Sequence, residues 1–337
     1  MKHVIIGGSG FIGSALTERL LQQGKEVMVC DLIKPKVPCE FKRVDIKNSE
    51  ELKSIGFERR DIVYHLASRI YDGKVPKFNK EKYFYEVNVI GTKNVLQAMH
   101  EAGCKRLIYF STDKVYGIPN TTPMKETHLK KPIGPYGRSK LAAENLCEKY
   151  RERGFKITIF RLPIVMGPGR PGIFNKVFYL IRKGMPLPLI GNGNSRYHML
   201  SVHDCVDATL VASKNVKNET FNLGSDRPVA QRELLERLIK AAHSNSRIIA
   251  VNARMAKLGL RVLEFLHMPL MHEEQYLLAD KDCILDISKA KKELNWKPKH
   301  DEFTALLEAF EHYRKTCEKC NRSVSYTHLT LPTICSV

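Results

Sequence analysis

The stretch from Lys2 to Asp31 reads as a short strand, a glycine-rich turn, a helix and a second strand, and it constrains the fold more than any other part of the sequence. Residues 3–6 form the first strand and residues 7–13 (GGSGFIG) form the turn, after which apolar residues recur at helical spacing from Ser14 to Gln23. This order is typical of α/β proteins, and it predicts a doubly wound parallel sheet.

The turn has the features of a phosphate-binding loop. Its glycines let the backbone approach a pyrophosphate, and the following helix presents free N–H groups and the positive end of its dipole. Asp31 lies about 20 residues further on, where a carboxylate accepts hydrogen bonds from ribose hydroxyls and repels a 2′-phosphate. These features predict NAD rather than NADP, and the alternative is a structural glycine turn in another α/β protein. The predicted contacts in the turn are Gly7, Gly10, Phe11, Ile12 and Gly13.

The composition indicates a globular protein without a membrane span. Its 337 residues, 43% of them hydrophobic, are enough for one large or two modest domains. No apolar run approaches the roughly 20 residues that cross a bilayer, and no signal peptide precedes the first strand, so we expect a cytoplasmic protein. The nine cysteines are scattered, as is usual for reduced thiols, and we predict no metal site.

Two features bear on contacts with membranes and nucleic acids. The formal net charge of +19 attracts polyanions such as a nucleotide sugar, an acidic membrane surface or nucleic acid. Because the basic residues are spread along the chain, we favour a solvated basic surface and expect no nucleic-acid partner. The segment from Met255 to Met271 is more apolar, and we favour a core helix or a dimer face over a membrane contact there.

Two further strands are predicted to end beside the glycine turn. Residues 41–46 form a third strand, where Asp45 can accept a hydrogen bond from an adenine amino group, and a helix-capping aspartate is the alternative. Residues 61–68 form a buried strand that ends in the small residues Ala67 and Ser68. Small side chains at this position leave room for a cofactor across the strand ends.

A strand end and a helix supply the candidate catalytic centre. Residues 106–110 form a strand that delivers Ser111 and Thr112 at its carboxyl end, where open α/β sheets hold their active sites. Tyr136 and Lys140 are four residues apart on a predicted helix, so they share one face. An ammonium beside a phenol lowers the pKa of the phenol, and the phenolate then takes a proton from a substrate hydroxyl. We predict Thr112, Tyr136 and Lys140 as catalytic residues.

Together these motifs resemble the extended short-chain dehydrogenases/reductases, in the group of NAD-dependent sugar-nucleotide epimerases and dehydratases that includes UDP-glucose 4-epimerase-like enzymes. The resemblance covers about residues 1–316. The matching motifs are residues 7–13, 65–68, 88–92, 111–117, 136–140, 161–167, 286–291 and 294–298. The resemblance implies a Rossmann-type sheet with a smaller C-terminal α/β cap that binds the substrate.

The resemblance also implies the domain organisation. The expected ranges are 1–165, with a return segment at about 200–215, for the NAD-binding domain, and 166–199 with 216–322 for the substrate-binding cap. A homodimer is expected through the helices that follow Glu81 and Tyr136. Residues 323–337 resemble the translation of a sequencing adapter, so we expect them not to belong to the native protein.

For the site, the resemblance implies contacts from several strand ends and loops. The expected cofactor contacts beyond the turn are Asp31, Asp45, Ile46, Leu66, Ala67, Ser68, Asn88, Ser111, Tyr136, Lys140 and Pro163. The expected substrate contacts are Arg69, Asp113, Lys114 and Arg196. Among these, Arg196 would pair with a phosphate of a nucleotide-sugar substrate.

One departure from the family pattern bears on the reaction. Lys114 stands where family dehydratases and decarboxylases generally carry a glutamate that removes a proton from the sugar ring. This favours epimerisation at the 4-hydroxyl of a UDP-sugar, through a transient 4-keto intermediate with NAD retained. The alternatives are a sugar-nucleotide or hydroxysteroid-like dehydrogenase whose cofactor exchanges, and a non-catalytic nucleotide- or polyanion-binding relative. Ile164 replaces an asparagine that contacts the nucleotide in many epimerases, which leaves the nucleotide open.

Overall fold

The computed structural model of the chain describes residues 1–71, 75–170 and 172–324. Within these residues the strands are β1 (His3–Ile6), β2 (Val27–Asp31), β3 (Glu40–Arg43), β4 (Ile62–His65), β5 (Arg106–Thr112), β6 (Lys156–Leu162), β7 (Ile164–Met166), β8 (Leu187–Ile190), β9 (Met199–Ser201), β10 (Thr220–Asn222) and β11 (Ile248–Val251). Of the tail that we expect to be foreign, residues 325–337 lie outside the described residues.

The helices follow the strands in alternation over the first two thirds of the chain. They are α1 (Phe11–Gln22), α2 (Ser49–Lys53), α3 (Lys80–Tyr85), α4 (Thr92–Glu101), α5 (Pro135–Arg151), α6 (Ile173–Arg182), α7 (Val202–Lys214), α8 (Gln231–Ala241), α9 (Ala253–Phe265), α10 (Glu273–Tyr276), α11 (Ser288–Glu293) and α12 (Glu302–Val324). A π-helical segment (Glu86–Gly91) joins α3 to α4, where the sequence predicts one continuous helix.

Seven parallel strands form the main sheet of the described residues, in the order β10-β6-β5-β4-β1-β2-β3. Alternate side chains of β1 point to opposite faces, so Ile5 joins one hydrophobic cluster while Val4 and Ile6 join another. Burial on both faces explains why the strands read as apolar runs rather than as alternating patterns. The predicted doubly wound parallel sheet is confirmed.

The strand order reverses beside β1, and this reversal positions the site. From β1 the chain continues to β2 and β3 on one side, and it then returns to place β4 on the other side of β1. Ile6 pairs with His65, so the glycine turn and the segment after β4 leave the sheet side by side. Open α/β sheets bind ligands in the crevice at such a reversal.

A second, smaller core belongs to the cap. Two short parallel pairs, β7 with β9 and β8 with β11, lie beside α6, α8 and α12. Phe178 of α6 packs against Phe310 of α12, with ring centroids 5.6 Å apart. Aliphatic side chains of α8 complete this cluster, which is separate from the two clusters of the main sheet.

The boundary predicted at residue 216 is wrong, because the chain stays with the main sheet as far as Asn222. Helix α7 packs on α1, and β10 adds a strand beside β6. Phe221 is fully buried there, with its ring centroid 6.3 Å from that of Phe160. Further along, Leu294 and Trp296 also join the main core. The edge of β6 needs a backbone partner, and β10 supplies it.

Of the two interpretations favoured for Met255 to Met271, the core helix is wrong, and the dimer face stays a prediction. Helix α9 occupies the first part of this segment, and none of its residues is buried. Several of its apolar side chains are instead among the most exposed of the molecule, Phe265 above all. No helix in the described part of the chain has the length and apolar character needed to cross a membrane.

Candidate active site

A cavity of about 990 Å³ opens at the carboxyl ends of the central strands and is lined on its other side by residues of the cap. The predicted site residues that line it are Gly7, Gly10, Phe11, Ile12, Gly13, Leu66, Ser68, Ser111, Thr112, Asp113, Lys114, Tyr136, Lys140 and Pro163. The structure thus brings together side chains that are more than 150 residues apart in the chain, from the glycine turn to the strand after α5.

At Gly7 and Gly13 the backbone of the glycine turn leaves no room for a side chain. A Cβ on Gly7 would lie 2.4 Å from the Ala67 nitrogen, and a Cβ on Gly13 would lie 2.1 Å from the Gly7 oxygen. Gly10 is the N-cap of α1 and provides no side-chain cap. The first N–H groups of this helix are therefore available to an anion in the cavity. This cradle fits the pyrophosphate of a dinucleotide.

Asp31 ends β2 next to the turn. Its carboxylate accepts hydrogen bonds from the backbone N–H groups of Ser9, at 3.0 Å, and Ile33, at 3.3 Å. These two bonds fix the carboxylate beside the glycine turn, at the position from which it can reach a ribose. Asp31 does not line the cavity itself, so its predicted contact with the ribose stays a prediction.

The three predicted catalytic side chains meet in the cavity. The Tyr136 phenol forms a hydrogen bond with the Thr112 side chain. Lys140 is buried, and its ammonium donates to the Phe110 carbonyl at 2.6 Å and lies 4.4 Å from the centroid of the Tyr109 ring. Carbonyl and ring together provide the polar contact that a buried cation requires.

The pKa of Tyr136 departs from the expectation. Burial raises the pKa of the Tyr136 phenol, while the bond with Thr112 lowers it and the carboxylate of Glu274 raises it further. Burial also lowers the pKa of Lys140 from 10.5 to about 7. The predicted lowering of the phenol pKa by Lys140 is therefore not found, because the lysine bonds a carbonyl and its own charge is destabilised by burial.

Glu274 is a site residue that the sequence analysis missed. Its buried carboxylate lies in the cavity wall and accepts hydrogen bonds from the Tyr136 N–H at 2.9 Å, the Gly137 N–H at 3.2 Å and the Tyr71 hydroxyl at 3.0 Å. Gly134, the N-cap of α5, has no side chain to do this. Glu274 therefore caps the helix that carries Tyr136 and Lys140, and burial raises the pKa of its carboxyl.

A second polar cluster faces the same space. The Lys114 ammonium donates to the Asp113 carboxylate at 2.7 Å and also bonds the Tyr197 hydroxyl. Tyr197 bonds the other oxygen of Asp113 at 3.3 Å, and Thr112 bonds the first at 3.1 Å. This network ties Lys114 to the catalytic threonine and holds the lysine in an ion pair. Tyr197 was not predicted, because it meets Lys114 only through tertiary packing, across 83 residues of chain.

Besides Asp31, four predicted cofactor contacts do not line the cavity, namely Asp45, Ile46, Ala67 and Asn88. Asn88 lies in the π-helical segment and is 1% exposed. It accepts from the Ser68 hydroxyl at 3.1 Å and the Arg69 N–H at 2.8 Å, and its amide donates to Ser139 at 2.9 Å. Its position thus supports the cavity wall rather than contacting a ligand. Ala67 supports it in the same way, packed against the glycine turn.

The third strand ends before Asp45, whereas the sequence predicted a strand that includes this residue. The strand stops at Arg43, and the Asp45 carboxylate beyond it accepts from the Lys47 N–H at 3.0 Å. Asn48, not Asp45, caps α2, so the helix-cap alternative is wrong, and the contact of Asp45 with adenine stays a prediction. Ile46 is buried in the core cluster beneath the main sheet.

Two predicted substrate contacts are engaged elsewhere. Arg69 donates to the Tyr83 carbonyl at 2.7 Å and pairs with Glu86 at 3.3 Å. Arg196 is at the surface in an ion pair with Asp282 at 2.8 Å, and it does not line the cavity. Neither residue lines the cavity, and both substrate contacts stay predictions. In their place Arg170 lines the cavity, with a buried Nε that has no hydrogen-bond partner among the described residues.

Comparison with known proteins identifies the family of this chain. A family model described as the NAD-dependent epimerase/dehydratase family matches residues 3–224, which include every strand of the main sheet. The chain belongs to this family. The predicted resemblance and the predicted cofactor, NAD, are thereby confirmed.

Relatives of this chain differ in their reactions. The uncharacterized protein y4nG of Sinorhizobium fredii is 30% identical over 316 residues, covering 92% of this chain and 78% of that protein. The dTDP-D-glucose 4,6-dehydratase of Mus musculus is 27% identical and covers 93% of this chain and 89% of that enzyme. The crystal structure of UDP-glucose 4-epimerase from Thermotoga maritima with UDP-glucose is 27% identical, with a TM-score of 0.78 over 94% of this chain and 100% of that one. The family therefore leaves the reaction open.

Proposed function

We propose that this protein is an NAD-dependent epimerase that inverts the 4-hydroxyl of a sugar nucleotide, with a UDP-sugar as substrate, through a transient 4-keto sugar. The observation that carries the proposal is Lys114, held by Asp113 and Tyr197 beside Thr112. A lysine in an ion pair is a poor base towards a ring C–H, so the site favours an isomerase over a dehydratase or a decarboxylase.

The residues of the chain handle the proton of the reaction. When bound, NAD supplies the hydride acceptor and, in its oxidised form, a positively charged ring. Tyr136 takes the proton of the 4-hydroxyl and later returns it, with the Thr112 hydroxyl stabilising the phenolate. Lys140 would hold the nicotinamide ribose of bound NAD. Glu274 keeps Tyr136 in place by capping its helix.

We assign the binding roles on the same basis. The glycine turn, with Gly7, Gly10 and Gly13, would hold the pyrophosphate of NAD, and Asp31 its adenosine ribose. Asp113 and Lys114 would contact the sugar. Arg170 has an unpartnered Nε in the described structure and would pair with a substrate phosphate.

The test is a product analysis with the purified protein. UDP-glucose, UDP-glucuronate and UDP-N-acetylglucosamine are each incubated with it, and the products are identified by NMR while bound nucleotide is identified by mass. We expect interconversion of 4-epimers, near-stoichiometric NAD, and loss of activity in Tyr136→Phe. Tyr179, which is 46% exposed on α6, provides the matched control Tyr179→Phe with activity unchanged.

The other outcomes separate the alternatives. Stoichiometric accumulation of NADH with a sugar would identify a dehydrogenase with an exchanging cofactor. A 4-keto-6-deoxy product would identify a dehydratase. Retention of NAD with no reaction on any sugar would favour a non-catalytic relative, although the intact set of Thr112, Tyr136 and Lys140 argues against it.

We also propose a homodimer through the helices after Glu81 and Tyr136. Tyr85 and Ile90, at 52% and 39% exposed, are apolar side chains on the outer surface of the first of these helices. Sedimentation velocity should give a dimer for the wild type and a monomer for Tyr85→Asp with Ile90→Asp. A monomeric wild type would contradict this arrangement.

A further inference from the structure

The cap side of the cavity is mostly aliphatic, with Lys176, Gln231 and Gln275 as polar residues among its lining. Its wall includes Val177, Leu180, Leu189, Leu235, Leu260 and Leu263. A nucleoside presents the polar edges of its base and ribose, and burying these edges against aliphatic side chains loses their hydrogen bonds with water. An apolar chain gains free energy from the same burial. This half of the cavity therefore suits an apolar group better than a nucleoside.

Helix α9 forms part of this wall and is apolar on two neighbouring sides. The residues that face the cavity are Ala256, Gly259, Leu260 and Leu263, and Met255 lies at the edge between the two sides. The residues that face solvent are Met255, Leu258, Val262 and Phe265, with exposed fractions of 67%, 58%, 49% and 81%. An exposed apolar helix side is normally covered by protein or by lipid. No residue of α9 is buried, so its outer side has no partner among the described residues.

The exposed apolar surface continues past the end of α9. Leu266, Met268 and Leu270 are 57%, 64% and 59% exposed. Phe78, at 64% exposed, lies beside this turn with its ring 4.4 Å from that of His267. We call the exposed apolar side chains from Met255 to Leu270 the apolar ridge. A continuous exposed patch of this kind marks an interaction site.

The charges around the apolar ridge are mostly positive. Arg254 and Arg261 are exposed on α9, whereas Lys257 pairs with Asp280 at 2.5 Å and the acidic Glu264 pairs with Lys80 at 2.6 Å. The whole chain carries a formal charge of +19. An apolar helix side flanked by arginine and lysine is the composition of helices that lie in a membrane interface, where anionic lipids attract the basic residues.

We propose that the apolar ridge docks this protein on an anionic membrane surface, and that the site also accepts a sugar carried on a lipid, whose apolar chain lies in the aliphatic half of the cavity in place of the nucleoside of a UDP-sugar. The second part rests on the proposed function. The continuity of the two apolar surfaces across α9 supports a route from the membrane into the cavity. A second copy of this chain on the ridge is the competing occupant.

Vesicle sedimentation tests the docking. The full chain is mixed with vesicles of phosphatidylglycerol and phosphatidylethanolamine, at low and high salt, and the bound fraction is measured. Val262→Asp with Phe265→Asp should weaken binding at least tenfold, since each apolar side chain removed from lipid is worth about tenfold or more. Leu129→Asp is the matched control, because Leu129 is 68% exposed and lies outside the ridge.

The outcomes decide between the occupants. Binding that weakens at high salt and in the double variant, but not in the control, supports the proposal. A wild type that stays in the supernatant overturns the docking. So does a self-associated wild type that the double variant makes monomeric without any vesicle binding, which would assign the ridge to a second copy.

Alkyl glycosides test the lipid-borne substrate. Thermal shift is measured with n-decyl β-D-glucoside below its micelle concentration, with glucose and with UDP-glucose. We expect decyl glucoside to bind at least about 100-fold more tightly than glucose, because several methylene groups become buried. Equal binding of the two overturns the lipid-borne substrate. A protein that binds vesicles and decyl glucoside but epimerises no sugar would refute the proposed function alone, so the two failures are distinguishable.

Discussion

Replacing Glu274 by glutamine tests how the active-site helix is held. The carboxylate accepts from two N–H groups at the start of α5 and from the Tyr71 hydroxyl, all within 3.2 Å. Glutamine has the same shape but only one accepting oxygen and no charge. Charge-assisted hydrogen bonds are worth about 1.5–3 kcal/mol against about 0.5–1.5 kcal/mol for neutral ones. Since the buried carboxylate also loses hydration, we expect Glu274→Gln to lower the free energy of unfolding by about 1–2 kcal/mol.

The same substitution should change catalysis in two separable ways. Loosening the first turn of α5 displaces Tyr136, and small displacements of a catalytic group reduce kcat by about 10- to 100-fold. Glu274 also raises the pKa of Tyr136 through its charge. Removing that charge lowers the pKa of the phenol, so the acid limb of the kcat/KM profile should move to lower pH. Denaturant unfolding and the pH profile measure the two effects.

The neighbouring Glu273 provides the control. It lies on the same short helix, α10, and its substitution by glutamine should leave stability and the pH profile unchanged. An acid limb that stays in place or moves to higher pH in Glu274→Gln would refute the electrostatic argument. Unchanged stability and kcat would refute the capping argument.

Three further substitutions test the cradle, the buried lysine and the buried ion pair. Gly13→Ala should abolish NAD retention, because its Cβ would lie 2.1 Å from the Gly7 oxygen. The pKa of Lys140 is about 7 in the folded chain, against its ordinary value of 10.5. The free energy of unfolding should therefore rise between pH 7 and 10, and Lys140→Met should flatten this rise. Glu144→Gln should destabilise the chain by about 3–5 kcal/mol, because it leaves Arg161 buried without its partner.

Each substitution has a control or a contradicting result. Gly259→Ala, with no atom within 4 Å of the added Cβ, should retain NAD, and retention in Gly13→Ala would contradict the role of the cradle. A pH dependence of unfolding that is identical in wild type and Lys140→Met would contradict the lowered pKa. Glu148→Gln breaks the more exposed pair with Arg151 and should cost less than about 1 kcal/mol, so equal losses for the two glutamates would contradict the burial argument.

The parts that sequence could predict are those with local signals. The glycine turn lies within one strand–helix unit, and Tyr136 and Lys140 share one helical turn, so spacing alone places them. The end of β3 is harder to predict from sequence, because this edge strand is partly exposed and has no clear alternation of apolar and polar residues before Asp45 and Ile46. Strand ends of this kind depend on the pairing partner, which sequence does not reveal.

The parts that sequence could not predict depend on distant contacts. Glu274 and Tyr197 reach Tyr136 and Lys114 across 138 and 83 residues of chain. Arg196 has the residue type of a phosphate contact, but Asp282 on an adjacent segment takes it. Helix α9 has the apolar content of a core helix, and only the packing of the cap against the sheet leaves it exposed. In each case the deciding contact comes from tertiary packing.

The central claim is that a hydride leaves C4 of the sugar and returns to the same carbon within one active site. A UDP-sugar carrying deuterium at C4 tests it directly, with the purified protein, its bound NAD and unlabelled NADH in the solvent. We expect the epimerised product to retain the deuterium at C4. Loss of the label to the solution would instead indicate an exchanging cofactor, its appearance at C6 would indicate a dehydratase, and either result would contradict the proposed epimerase.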